Sequence, residues 1–549
     1  MERDRHRLTS ASAPSRFGGS ALFLVAPPAL FLGVFFGWPV VALVLRGIGE
    51  DPGSIVDTLT NPSIRAAAWF TVWQAAVSTL ATFVVAFPLT AVVANVAFRG
   101  RRLVMAAVTL PFVLPTVVVA SAFLSTGSRL GLTDGPFALS KSNFAIIVAH
   151  VFFNVAVVVR TVGGYWSQLS RTDEEAARTL GSSRLETFFR ITFRRLRPSI
   201  LAAMSIVFLF TFTSFGVVVI LGGARQRTIE TEIFRYAISR TDFATASVLS
   251  VLQMVVVIML VVVNLRLRAT LARGDRLTVD RRVRPHSRRA AALAFVTVAV
   301  TLGLLFVPIS SLVIDSLTTG SGFGFDHYRA LTDRPPFLTV TPLRAIGNSL
   351  AFAVLAAGLA TGIGGWASIA VVYGRGRFAR LLDVAYLLPL GVSAVTLGLG
   401  ILITFDVGVL DLRRSWVIIP LAQALIAVPF VTRAVVPVLR AIDPRVREAA
   451  AMLGASPAQI RRDIDFPIAR RALLVGAGFA FAISLGEFGA TSFVGRRPDL
   501  MTVPLAIARL LSQPGQTIRG QAMALSVILM LVTVTVLLIV DRFDRSDVL

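Results

Sequence analysis

Apolar runs long enough to cross a bilayer, each of roughly 20 residues or more, alternate with short clusters of arginine along the whole chain. Lipid satisfies no backbone hydrogen bonds, so a spanning run must pair its own N–H and C=O groups, and isolated runs do this only as helices. The alternation therefore predicts an all-α, polytopic membrane protein. Composition agrees: with 55% hydrophobic and 15% charged residues, the chain has too little polar surface to wrap a water-soluble core of 549 residues. The net charge of +24 does not point to nucleic acid, because the arginines sit in loops between apolar runs and form no continuous basic face. The absence of cysteine excludes disulfides and thiolate metal sites.

Reading runs between charge clusters gives about twelve spans. They cover 20–45, 66–96, 103–126, 143–164, 197–222, 243–265, 290–314, 346–373, 381–404, 415–437, 472–494 and 520–540. The first follows Arg3, Arg5, Arg7 and Arg16, but it is too long for a signal-peptide core and reads as a retained span. The arginine-rich loops are 98–102, 160–197, 266–289, 374–380 and 440–471, and they fall on one face. By the positive-inside rule that face is cytoplasmic, and so are both termini. The loop 496–519, with four arginines and one aspartate, is the exception.

A repeat organises the chain. Glu175 matches Glu448, Gly181 matches Gly454, Ser183 matches Ser456, Phe215 matches Phe488 and Gly216 matches Gly489, all at an offset of 273 residues. The expected architecture is two pseudo-symmetric six-helix halves in parallel orientation. The divisions are a tail at 1–19, the first span and outside loop at 20–65, and a first domain at 66–268 with a polar loop at 172–197. A basic linker at 269–289 follows, then the seventh span and outside loop at 290–344. A second domain at 345–541, with its polar loop at 443–471, and a tail at 542–549 complete the chain.

The two polar loops carry capping signals. In the first, Thr172 with Glu175 spells a capping box, Gly181 a stop, and Ser183 with Glu186 a second box. In the second, Asp443 and Pro444 open a helix, Gly454 ends it, and Ser456, Pro457 and Gln459 start another. Both predict helix, turn, helix. A single loop of this kind could simply lie on lipid, but duplication on one membrane face suggests a partner with two equivalent sockets.

The stretches "EAARTLG" with "ITF" (175–181 and 191–193) and "EAAAMLG" with "IDFP" (448–454 and 464–467) resemble the EAA motif of permease subunits in binding-protein-dependent ATP-binding cassette importers. Phe193 and Phe466 replace that motif's leucine, and Arg194 its first proline. The resemblance implies two fused MetI-like transmembrane domains in a bacterial inner (plasma) membrane. It also implies two separate ATPase subunits and an extracytoplasmic binding protein that delivers a small solute. Glu175, Ala176, Ala177, Gly181, Glu448, Ala449, Ala450 and Gly454 would be the ATPase-coupling residues. The fused arrangement, with "LGGARQRTIETEIF" (221–234) and "SLGEFGATSFVG" (484–495), resembles thiamine and ferric-iron permeases most.

No ATPase site is expected in this chain. The single lysine, Lys141, lies in "GPFALSKS" (135–142), which lacks the second glycine of a phosphate-binding loop and falls on the outside face. Cofactors are therefore expected to be none, with ATP and Mg bound by the partner. His6, His150, His286 and His327 are scattered, without metal-ligand spacing. Polar groups inside spans are costly, about 2.5–3.5 kcal/mol for a central charge, and so mark candidate path residues. These are Glu487, its repeat partner Ser214, His150, Asn154, Gln253 and Gln423. Interhelical hydrogen bonding is the alternative for His150, Asn154 and the glutamines. Gly358 and Gly362, four apart, read as a close-packing face. The competing functional reading is a secondary transporter driven by an ion gradient, which would favour several buried acids near the midplane.

Overall fold

The computed structural model describes residues 18–49, 52–223, 225–272, 287–320, 322–374, 381–383, 385–386, 388–405, 412, 415–495 and 497–544. Most of the N-terminal tail, the centre of the basic linker, the loop 375–380 and the last residues of the chain lie outside this set. Among the described residues, ten helices are long and apolar enough to cross a membrane. An eleventh span is counted if the bent pair Arg101–Val113 and Thr116–Arg129 is taken as one.

The expected spans are interrupted in matching places in the two halves. The third bends by 101° between its two helices. The cause is local: Pro115 disfavours the helical region for the residue before it, and Leu114 is extended at φ −64°, ψ 140°. Where a ninth straight span was expected at 381–404, the described residues give a short turn at Leu388–Gly391 and an eleven-residue helix, Ala394–Thr404. The fifth span ends at Phe212 and restarts at Gly216. Likewise the eleventh ends at Gly486 and restarts at Thr491. These breaks bring unwound backbone to the middle of the molecule, where buried protein can satisfy it.

Each half is a bundle in which Pro62–Asn95 packs along Asn143–Trp166 and Phe193–Phe212, as Pro342–Tyr373 packs along Ile418–Ala441 and Phe466–Gly486. Each leading helix packs on its own half and also reaches across to the other. Trp38–Gly49 lies against Ala394–Thr404 of the second half, and Arg288–Leu317 lies against Thr116–Arg129 of the first. Gly400 permits the first of these crossings, since a Cβ there would sit 3.1 Å from both Leu43 and Pro39. Gly358 and Gly362, by contrast, face open space, with nothing within 4 Å of an added Cβ. The close-packed glycine of that helix is Gly364, whose Cβ would fall 2.8 Å from Val431. Periodicity within one helix does not reveal which face meets a neighbour.

Candidate functional site

Both polar loops form one short exposed helix, a glycine turn, and a second helical start that runs on into the following span. The first helix is Thr172–Thr179 and its counterpart is Pro444–Met452. Gly181 and Gly454 have φ of +92° and +90°, the left-handed conformation that favours glycine. Both turns carry the paired backbone bonds of a Schellman ending. Gly181 N–H donates to Arg178 O and Ser182 N–H to Ala177 O, while Gly454 N–H donates to Ala451 O and Ala455 N–H to Ala450 O.

The caps differ from expectation in one place. Thr172 is inside the helix rather than its cap, and its own N–H donates to Ser170 Oγ at 3.2 Å, so no box forms with Glu175. Ser183 does accept from Glu186 N–H, and Ser456 and Gln459 form the full reciprocal box. The second helix is not separate. Arg184–Thr187 continues through a π turn, Phe188–Thr192, into the fifth span, and Pro457–Ile460 continues through Arg461–Asp465 into the eleventh. Each loop helix is pinned to that π turn by residues at matching positions. Thr192 Oγ1 donates to Glu174 Oε1 at 2.6 Å, and Arg447 Nε donates to Asp465 Oδ1 at 2.9 Å.

The outward surfaces of the loops are unpartnered in this chain. Glu175, Ala176, Gly181, Glu448, Ala449 and Gly454 are exposed, and Ala177 and Ala450 are half-buried. Leu180 and Leu453, again at matching positions, are 87% and 89% exposed, beside Met452 at 89%.

A cavity of about 670 Å³ lies between the halves. Of the path candidates, His150, Asn154, Ser214 and Glu487 line it, and Gln253 and Gln423 do not. His150 Nδ1 lies 3.1 Å from Ser78 Oγ on the neighbouring helix, and Asn154 Nδ2 donates to His150 O. Glu487 does not present a free carboxylate. Its Oε1 accepts from Ala490 N–H at 2.6 Å and its Oε2 from Thr491 N–H at 2.9 Å, with the Thr491 hydroxyl donating as well. It caps the restart of its own broken span.

Two features of the lining escaped the sequence reading. One is aromatic: seven phenylalanines line the cavity, and Phe215 and Phe488, from opposite halves, stack across it. The other is Glu230, which is 1% exposed. Thr228 caps the short helix Ile229–Phe234 in a reciprocal box with Thr231, and Thr71 Oγ1 accepts from Ile229 N–H at 2.9 Å to anchor it. Glu230 then accepts from Gln253 Nε2, which explains the burial of Gln253. Gln423 is buried with its side-chain oxygen unpartnered, away from the cavity lining. Glu230 lay in a segment read as an outside loop; its only local signal is an acid two residues past a Thr cap.

Comparison with known proteins follows this geometry. A family model described as "Binding-protein-dependent transport system inner membrane component" matches residues 86–270 and 360–546. The thiamine transport system permease protein ThiP of Brucella suis biovar 1 is 28% identical over 566 residues, 98% of each chain. The protein of that name from Salmonella typhimurium is 28% identical over 459 residues, 79% of this chain and 81% of that one. The sulfate transport system permease protein CysT of Salmonella typhimurium is 30% identical over 199 residues, covering 35% of this chain and 72% of its own. With two matched stretches, ten membrane-length helices and a doubled EAA loop, the chain belongs to the inner membrane components of binding-protein-dependent transport systems, as a permease with both domains fused in one polypeptide.

Proposed function

We propose that this permease imports thiamine, delivered by an extracytoplasmic binding protein and driven by two separate ATPase subunits that hold ATP and Mg. The observation that carries the substrate is the cavity between the halves. A lining rich in phenylalanine, with Glu230 as its one carboxylate not saturated by the protein, suits an aromatic organic cation better than a hard metal ion, since cation–π attraction needs ring faces and ferric iron needs several oxygen ligands together. Relatives along almost the full chain length are named as thiamine permeases, which supports the same reading.

Each EAA loop is the proposed coupling helix that seats in a cleft of one ATPase subunit, with Glu175 and Glu448 making charged contacts and the alanines allowing close approach. The arginine-rich face carrying them is then cytoplasmic, and both termini lie on that side. Phe112, Phe479 and Arg433 are among the residues that line the cavity. Rocking of the halves would part the Phe215–Phe488 stack and pass substrate through this cavity. Proteoliposomes holding the permease, its ATPase and its binding protein test the proposal with labelled thiamine and labelled ferric iron. ATP-dependent thiamine accumulation supports it, and accumulation of iron alone overturns it.

A further inference from the structure

The cavity contains one carboxylate whose charge the protein itself leaves half met. Glu487 is saturated, because two backbone N–H groups and a hydroxyl already take its oxygens. Glu230 is different. Its Oε1 accepts from Gln253, while Oε2 has no hydrogen-bond partner among the described residues, although the Ser393 hydroxyl lies close by. A buried carboxyl oxygen left without a donor is costly to ionise on its own, and a cation entering the cavity is a partner that would meet it.

Its surroundings define what that cation is. Glu230 lines the same cavity as Phe112, Phe153, Phe215 and Phe488, and His150 brings a second buried atom without a partner, Nε2. Ring faces attract a delocalised positive charge within about 6 Å of their centroids, and a cavity in the range of about 300–1,000 Å³ accommodates a two-ring organic molecule. The site is also one-sided. Thr228 and Thr502 hold the N-cap positions of corresponding short helices, Thr228 with a side-chain box and Thr502 without a side-chain bond, and two residues on the first has Glu230 where the second has Pro504. Ile229 N–H is held by Thr71 Oγ1 and Val503 N–H by Ser349 Oγ, so the two frameworks match while the acid is present once.

We infer that Glu230, positioned by Gln253, is the residue that selects a cationic substrate within the membrane, pairing its Oε2 with the positive ring while phenylalanine faces cover the rest. The inference rests on the thiamine reading above. One carboxylate oxygen and ring faces make a site that holds a cation without trapping it, as a transport intermediate requires.

The test uses the complete importer in proteoliposomes with labelled thiamine and, separately, its uncharged isostere in which carbon replaces the thiazolium nitrogen. The same binding protein serves every permease variant, so its own preference cancels when variants are compared. Glu230→Gln keeps shape and removes charge. Thiamine uptake is expected to fall about tenfold, the scale of one charge-assisted hydrogen bond, while isostere uptake stays within about twofold. Equal loss of both substrates, or loss of neither, overturns the assignment and leaves the thiamine reading standing. Absence of thiamine uptake by the unaltered importer overturns that reading and the assignment with it. Should E230Q fail to assemble, as judged by ATPase activity stimulated by loaded binding protein, Glu230→Asp keeps the charge and shortens its reach. A loss confined to thiamine supports the inference there, and equal loss of both substrates overturns it.

Discussion

Phe215 and Phe488 occupy matching positions in the two halves and stack with ring centroids 5.4 Å apart and planes 24° from parallel. Behind them Phe234 meets Phe215 at 5.4 Å and Phe493 meets Phe234 at 5.5 Å, so the contact is a four-ring cluster drawn from both halves. Phe215 and Phe488 each sit at a break in a span and are followed by a glycine. Gly216 has no room for a side chain, because a Cβ would fall 2.4 Å from the Thr116 hydroxyl.

A contact made by equivalent residues across a pseudo-symmetry axis has to part if the halves separate. The chain has no cysteine, so paired cysteines can be introduced without background. The F215C/F488C pair is expected to join with a short bifunctional thiol reagent in the resting importer and to lose that reactivity when ATP is trapped. Cross-linked transporter should show no substrate uptake. Equal cross-linking in both states would show that the stack does not open.

The ties between each loop helix and its span make a second set of expectations. Arg447 and Asp465 are part of a buried cluster in which the Tyr373 hydroxyl also donates to Asp465 and the guanidinium lies 5.1 Å from the Tyr373 ring centroid. Removing one partner of such a pair leaves the other buried and unmet, a cost of about 3–5 kcal/mol when burial is complete and less here, where Arg447 keeps 18% exposure. Asp465→Asn should lower the ratio of uptake to ATP hydrolysis more than Thr192→Val does, since the latter removes a single hydroxyl bond to Glu174. Measuring both rates on the same proteoliposomes checks it.

Leu180 and Leu453 are almost fully exposed among the described residues, so a substitution there removes little packing. The L180D/L453D permease should therefore fold and purify normally. Co-purification of the ATPase is expected to fall at least about tenfold, because each substitution places an unpaired carboxylate in a contact that excludes water. Gly181→Val with Gly454→Val should act differently, straining both left-handed turns by about 1–2 kcal/mol each and lowering thermal stability of the loops as well as docking.

The reach of the first leading helix across to the second half depends on Gly400. Gly400→Val drives a methyl group into Leu43 and Pro39, an overpacking cost of about 1–3 kcal/mol, and should lower the thermal denaturation midpoint in detergent. Gly358→Val, on a face with nothing within 4 Å, serves as the matched control and should change stability by no more than about 0.5 kcal/mol.

Glu487→Ala removes the cap of the restarted span and strands the N–H groups of Ala490 and Thr491. The expected loss is about 1–3 kcal/mol of stability, read as a lower midpoint, with the preference for thiamine over its uncharged isostere retained. Glu230→Gln should show the reverse pattern, which separates a structural carboxylate from a recognition carboxylate in one cavity.

The membrane class, the helices and the repeat could be read from the chain because each depends on neighbours in sequence. Run length against bilayer thickness sets a span, and Gly181 and Gly454 stop a helix through their own backbone freedom. Even the local reading slipped by a position at Thr172, where Ser170 offered the N–H a nearer acceptor. The cavity was less legible. From the sequence Glu487 could equally line the path or be paired within the protein; in the structure it lines the cavity, and its oxygens turn back to Ala490 and Thr491 because the span breaks there and leaves bare N–H groups. Glu230 looked like part of an outside loop, yet Thr71 and Gln253, distant in sequence, hold it at the centre. Whether a polar group faces lipid, a partner or a cavity depends on which helices meet, and in lipid that choice rests on close packing and a few hydrogen bonds between segments far apart in the chain. The sequence by itself determined that this protein spans the membrane in a pattern repeated twice, with one exposed polar loop in each half; only the tertiary structure decided that Glu487 is saturated by groups of its own broken span while Glu230 keeps an oxygen without a hydrogen-bond partner among the described residues, because those contacts depend on which segments meet.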